Sequence, residues 1–255
     1  MLRSILAHPL TRGRSIDDPI TTDLRRSIVA SKPFLRAIYD DWYRAILERV
    51  PQGDGAVLEL GSGAGFFEQL LPDVITSEVF PCPGVQLVVD ARNLPFASGE
   101  LRGIVMTDVL HHIPNAAAFF HEATRCLRPG GVVVMVEPWL SSWSRLIYTH
   151  LHHEPFKPEV QQWDFPAKGP LSDANGALPW ILFERDRKHF EDEFPDLSIE
   201  EIRPMMPFRY LVSGGVSMRT LMPGFTTPLW RSVERACEPQ MKRLAMFSLI
   251  ALRRA

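Results

Sequence analysis

The stretch Val57-Leu58-Glu59-Leu60-Gly61-Ser62-Gly63-Ala64-Gly65 constrains this chain more than any other. Val57, Leu58 and Leu60 form a short apolar run suited to a buried parallel strand. Three glycines at alternate positions follow, so the backbone can turn sharply and approach a ligand with no side chain between them. Phe66 to Leu71 is expected to continue as a helix whose unpaired N–H groups face that ligand. The spacing is GxGxG and not GxGxxG: Phe66 stands where the third glycine of a dinucleotide site would fall. The Glu59 carboxylate would sit poorly beside a pyrophosphate. It suits a ligand that carries positive charge.

The residues beyond this turn alternate between strand and helix patterns, the signature of a parallel sheet. Strands are expected at Val74–Ser77 ending in Glu78, Val85–Val89 ending in Asp90, Gly103–Thr107 ending in Asp108, and Val132–Val136 ending in Glu137. Asn115–Leu127 reads as a helix stopped by Arg128-Pro129-Gly130-Gly131. Between the second and third strands only Val79-Phe80-Pro81-Cys82-Pro83-Gly84 is available, so that crossover should be a loop. Upstream, Phe34, Ile38, Trp42, Ile46 and Val50 recur every four residues beside Leu35, Tyr39, Tyr43 and Leu47. That broad, aromatic stripe should pack on the domain or over its ligand cleft. Leu178–Phe194 reads as a helix, and Leu197–Ile202 and Met246–Leu252 as the last strands, with a further helix near Pro228–Cys237.

Several function classes are disfavoured by composition. A chain of 255 residues with 45% apolar content fits one α/β domain with an appended cap. A formal net charge of −2 leaves no footprint for nucleic acid. Cys82, Cys126 and Cys237 are too few and too scattered for a disulfide framework or a zinc cluster. No continuous apolar segment precedes the first helix, and Val132–Val136 is far short of a membrane span, so a cytoplasmic protein is expected. Peripheral membrane contact and oligomeric state stay open.

Ligands of open α/β sheets bind outside the carboxyl ends of the strands. Glu59 with Gly61, Gly63 and Gly65, then Glu78, Asp90-Ala91, Thr107-Asp108 and Glu137 should collect there. Taken with the glycine turn, Asp90-Ala91-Arg92-Asn93-Leu94-Pro95-Phe96, Val109-Leu110-His111-His112-Ile113-Pro114 and Leu127-Arg128-Pro129-Gly130-Gly131 resemble the successive motifs of class I S-adenosylmethionine (SAM) dependent methyltransferases. The branch they resemble is the type 11, ubiquinone/menaquinone-biosynthesis-like one. The resemblance covers residues 55–137 and implies a doubly wound, seven-stranded, mostly parallel sheet with a helical and irregular lid. It implies SAM as the cofactor and S-adenosylhomocysteine as its product. The cofactor set so implied is Glu59, Gly61, Ser62, Gly63, Gly65, Glu78, Asp90, Ala91, Thr107 and Asp108. Glu78 would hold the ribose diol, the Asp90-Ala91 pair the adenine, and the glycine turn the methionine end.

The expected organisation is an arm with cap helices (1–50), a SAM-binding core (51–138), a lid and acceptor-binding insertion (139–225), and a C-terminal helix and strand (226–255). Prolines and aromatic residues crowd residues 138–180, too irregular for a sheet layer. Trp139, Trp143, Leu146, Ile147, Tyr148, Trp163, Phe165, Met205, Met206, Phe208 and Tyr210 are candidates for a pocket that takes a small apolar or lipid-like acceptor for O- or C-methylation. Candidate bases are His112, His153 and Asp164. His150 and His153 would share a helix face near Glu154, but no second pair completes a metal site, and none is expected. A SAM-binding partner or regulatory protein without catalysis is the alternative, with an NAD-type oxidoreductase behind it.

Overall fold

The computed structural model describes residues 7–151, 154–166, 169 and 171–255. Its strands are β1 (Ala56–Leu60), β2 (Val74–Glu78), β3 (Leu87–Val88), β4 (Leu101–Thr107), β5 (Leu127–Pro138), β6 (Leu197–Met205) and β7 (Phe247–Arg254). They form one sheet in the order β3-β2-β1-β4-β5-β7-β6. The first five run parallel, and β7 lies antiparallel between β5 and β6. From β1 the chain winds outward through β2 and β3, then returns to β4 on the other side. The switch in direction opens a crevice between the ends of β1 and β4. This is the doubly wound, seven-stranded, mostly parallel sheet expected from the motifs.

Alternation along the strands divides the core into two layers. Val57, Val105 and Val134 face α2 (Pro33–Leu47), whose stripe of Phe34, Ile38, Trp42 and Ile46 is almost fully buried. Leu58, Ile104, Met106 and Met135 face α3 (Ala116–Cys126) through Phe119, Phe120 and Ala123. Trp42 is 1% exposed, stacks on Tyr210 and meets Phe247 at a tilt, and those two rings also touch edge to face. Truncating it to alanine should cost about 3–5 kcal/mol. The helix ahead of α2, α1 (Pro19–Ser31), begins where Asp18 accepts from the Ile20 N–H and Pro19 occupies the first turn. It lays Thr22 and Arg25 over the sheet edge.

Some local expectations are revised. The glycine turn leads into a single 3-10 turn, Phe67–Gln69, and not a helix through Leu71, because Pro72 follows at once. The glycine turn itself therefore presents no α-helix N-terminus to the crevice. The strand expected over Val85–Val89 pairs with β2 only at Leu87 and Val88. The crossover before it is a loop, as its two prolines dictate. The segment after Pro138 is more regular than its composition implied. Ser141 and Ser144 form a reciprocal cap that starts α4 (Ser142–His150), and the dense prolines come only from Pro155 onward. Leu178–Phe194 is helical but runs through a π-helical turn at Ile181–Arg185 before α5 (Arg187–Glu193). Among the described residues no helix is long and apolar enough to cross a membrane.

Candidate functional site

The crevice at the switch point is a cavity of about 430 Å³, within the range of small-ligand sites. Its floor is built by the glycine turn. Gly61 has a φ of +69°, and a side chain there would collide with Val109. Ser62 fixes the turn to the neighbouring strand: its N–H donates to the Ser77 carbonyl at 2.9 Å, and its hydroxyl accepts from the Ser77 N–H at 3.1 Å. The Ser77 hydroxyl in turn donates to the Glu59 carbonyl at 2.7 Å.

Carboxylates arrive at the cavity from successive strands. Glu59, from β1, is 4% exposed, and its Oε2 has no hydrogen-bond partner among the described residues. Burial pushes its carboxyl up to about 8, opposed by a hydrogen bond from Ser62. Glu78 ends β2 and accepts from the N–H groups of Gly63 (3.2 Å) and Val79 (3.0 Å). Its pKa is raised by burial in spite of those bonds. Asp90, just past β3, is gripped by the Arg92 guanidinium through both oxygens, which lowers its pKa. Asp108 follows β4 with a φ of +63°, so the backbone turns its carboxylate toward the cavity. A third of that side chain is exposed (34%), yet burial of the carboxyl beneath the surrounding chain pushes it up to about 7.

Glu137, at the end of β5 and fully buried, organises the loop after β4. Its Oε1 accepts from the N–H groups of Val109 and Leu110, each at 2.7 Å, and its Oε2 lies 2.7 Å from His111 Nδ1. Burial opposes protonation of His111, but Glu137, Glu154 and Asp108 together outweigh it and raise the imidazole well above the ordinary range. His112 is the opposite case. Burial and the adjacent His111 charge push it down to about 3.

Eight of the ten expected cofactor residues line the cavity: Glu59, Gly61, Gly65, Glu78, Asp90, Ala91, Thr107 and Asp108. Ser62 and Gly63 stand behind the wall, where they fix the turn and orient Glu78. Of the candidate bases, His112 lines the cavity, though as a weak base. Asp164 is exposed and belongs to a separate small cleft with Asn115, Trp163 and His189. His153 lies outside the described residues. Of the aromatic and apolar candidates for an acceptor pocket, Tyr210 lines the cavity. Trp139, Trp163 and Tyr148 are core residues, and Trp143 packs outside the cavity and donates to the Pro207 carbonyl. Their composition matched a pocket because a core and an apolar pocket use the same residues.

The roof was harder to foresee. Thr22 and Arg25 come from α1, Tyr39 and Tyr43 from α2, and Glu154, Gly169, Leu171, Val216 and Ser217 from the segments after β5 and β6. Only the tyrosines carried a signal, since a helical stripe that aromatic should cover something. The Arg25 Nε is buried with no hydrogen-bond partner among the described residues.

Comparison with known proteins agrees with this geometry. A family model described as a methyltransferase domain matches residues 34–197, more than half of the 255-residue chain. A stretch of 102 residues, 39% of the chain, is 29% identical to the polyketide synthase-nonribosomal peptide synthetase TwmB of Talaromyces wortmannii, 3% of whose length it spans. A stretch of 113 residues, again 39% of the chain, is 28% identical to an uncharacterized methyltransferase of Mycobacterium sp. (strain JLS), spanning 44% of it. The chain thus matches less than half the length of these curated relatives. Among solved structures, a chain of the complex between the Haloferax volcanii Trm112 methyltransferase activator and a methyltransferase superposes with a TM-score of 0.56 at 14% identity, over 94% of this chain and 98% of that one. Geranyl diphosphate C-methyltransferase from Streptomyces coelicolor A3(2) does so with a TM-score of 0.54 at 13% identity, over 98% and 92%. At such identities the likeness establishes the fold. The chain belongs to the methyltransferase-domain family and has the fold of the class I SAM-dependent methyltransferases.

Proposed function

We propose that the cavity binds SAM and that the chain transfers its methyl group to a small, partly apolar acceptor at oxygen or carbon. The observation that carries this is the convergence of Glu59, Glu78, Asp90 and Asp108 on one cavity floored by a glycine turn. The donor set fits the ligand. Glu59 Oε2, buried and unpartnered among the described residues, suits the ammonium of the methionyl end. Arg25 suits its carboxylate. Glu78 keeps acceptor capacity on both oxygens for a ribose diol, and Asp90 with Ala91 offers an acceptor and room for adenine. SAM supplies a methyl group already activated by its sulfonium, so the chain's task is to hold the two reactants in line and exclude water.

Tyr39, Tyr210, Leu171 and Val216 on the roof support an acceptor with an apolar body. Arg25 and Arg92 are the cationic side chains lining the cavity among the described residues, too few to favour a nucleic acid. Segments following β5 supply Glu154, Gly169 and Leu171 to the roof, as a lid over both reactants would. The test is incubation of the purified chain with methyl-labelled SAM and a cell extract, with organic and aqueous fractions counted separately. Label in the organic fraction is the expected outcome. Label confined to polar products overturns the acceptor class, and no transfer to any fraction overturns catalysis.

A further inference from the structure

His111 and Glu137 have an arrangement that methyl transfer does not require. His111 is fully buried, its Nδ1 is held by Glu137 at 2.7 Å, and Glu137 is itself fixed by two backbone N–H groups. The ring's orientation is therefore set, and its other nitrogen, Nε2, has no hydrogen-bond partner among the described residues. That nitrogen points toward the cavity wall. It lies 3.5 Å from Glu154 Oε2 and 4.0 Å from Asp108 Oδ1. His112 adds a second imidazole: its ring centre is 4.2 Å from that of His111, and its Nε2 is 3.9 Å from Glu154 Oε1.

We propose that His111, His112 and Glu154 form a binding site for a divalent first-row transition-metal cation at the edge of the methyl-transfer cavity. One ligand atom from each residue lies within 4.8 Å of the others, so small side-chain rotations bring all three onto one ion. Two imidazoles and one carboxylate with positions left open form a donor set that such ions accept. A ligating histidine whose far N–H is held by a buried carboxylate is the usual support of such a ligand, and Glu137 supplies it. The local charge agrees: Asp108, Glu137 and Glu154 surround His111, so the cluster holds more acids than bases.

His112, Glu154 and Asp108 line the cavity, so an open coordination position would face it. The chemistry this would add is Lewis-acid binding of an acceptor hydroxyl, which would release its proton to bulk solvent as it binds; its oxygen would then attack the methyl carbon while the C–S bond breaks and S-adenosylhomocysteine leaves with the electron pair. This role toward the acceptor rests on the methyl-transfer reading. The existence of the metal site does not.

The full chain, stripped with a chelator and returned to chelator-free buffer, is titrated with Zn²⁺ against a chromogenic chelator, then with Co²⁺ while its visible d–d absorption is followed. One equivalent should bind, with a cobalt spectrum of low coordination number. His112→Ala and Glu154→Gln should each abolish stoichiometric binding, and Glu137→Gln should weaken it by about 10–100-fold. Circular dichroism of each variant confirms folding. Failure of Zn²⁺ and Co²⁺ alike to bind, or unchanged affinity in both the His112 and Glu154 variants, overturns the site. SAM titration of the same preparations keeps the two readings apart: SAM binding by a chain that takes up neither Zn²⁺ nor Co²⁺ refutes the metal site and leaves methyl transfer standing.

Discussion

Glu59→Gln should make the protein more stable and worse at binding SAM. Folding raises the Glu59 pKa from its ordinary 4.5 to about 8. The stability this carboxyl contributes is therefore intact below about pH 4.5 and is lost as pH rises through about 8. At pH 7 the unfolded carboxyl is ionised while the folded one is still mostly protonated. At ~1.4 kcal/mol per pH unit, the fold gives up about 3 kcal/mol there. Glutamine has the shape of the neutral acid and avoids that loss. The variant should therefore melt on the order of 5–10 °C higher at pH 7, with the gap closing toward pH 5. SAM affinity should fall by about 10–100-fold, the worth of a hydrogen bond to a charged group. In the wild type, SAM binding should release a proton from Glu59, visible in calorimetry as a dependence of the heat on the buffer's ionisation enthalpy. Scanning calorimetry at three pH values with SAM titrations of both proteins checks all of this. A variant that is less stable at every pH and binds SAM as well as wild type would show that Glu59 is structural.

Three further substitutions probe separate parts of the cavity. Gly63→Ala should abolish SAM binding measured by calorimetry, because the new methyl would lie 2.5 Å from Glu78 Oε1 and collide with Thr22. Its damage would run through Glu78 and α1, since Gly63 does not line the cavity. Asp90→Ala should weaken SAM by about 1–3 kcal/mol with the circular dichroism spectrum unchanged; an unaltered Kd would mean adenine is held elsewhere. Arg25→Gln should weaken SAM more than it weakens adenosine, which lacks the methionyl carboxylate. Equal losses for the two ligands would place Arg25 away from that end.

The parts of the site that were legible in the sequence are those the sheet itself imposes. A strand ends where its apolar run ends, so Glu59, Glu78, Asp90 and Asp108 could be placed on the crevice from local pattern alone. Pro81 and Pro83 announced the looped crossover in the same way. What stayed hidden depends on contacts distant along the chain. Arg25 lies on a polar helix whose relation to the sheet no local pattern encodes. His111 and His112 were adjacent in sequence, but their meeting with Glu154 is a tertiary contact between residues distant along the chain. Glu137 read as one more strand-end acid, and only burial revealed it as the anchor of the β4 loop. The aromatic residues after β5 misled for a related reason: hydrophobicity reports burial and is silent on whether protein or ligand does the burying.

Calorimetric titration of the purified chain with SAM, with S-adenosylhomocysteine and with NAD at matched concentrations tests the central claim most directly. The cavity's acids and glycine turn predict binding of the first two and no heat from NAD. Tight NAD binding with no response to SAM would contradict the account.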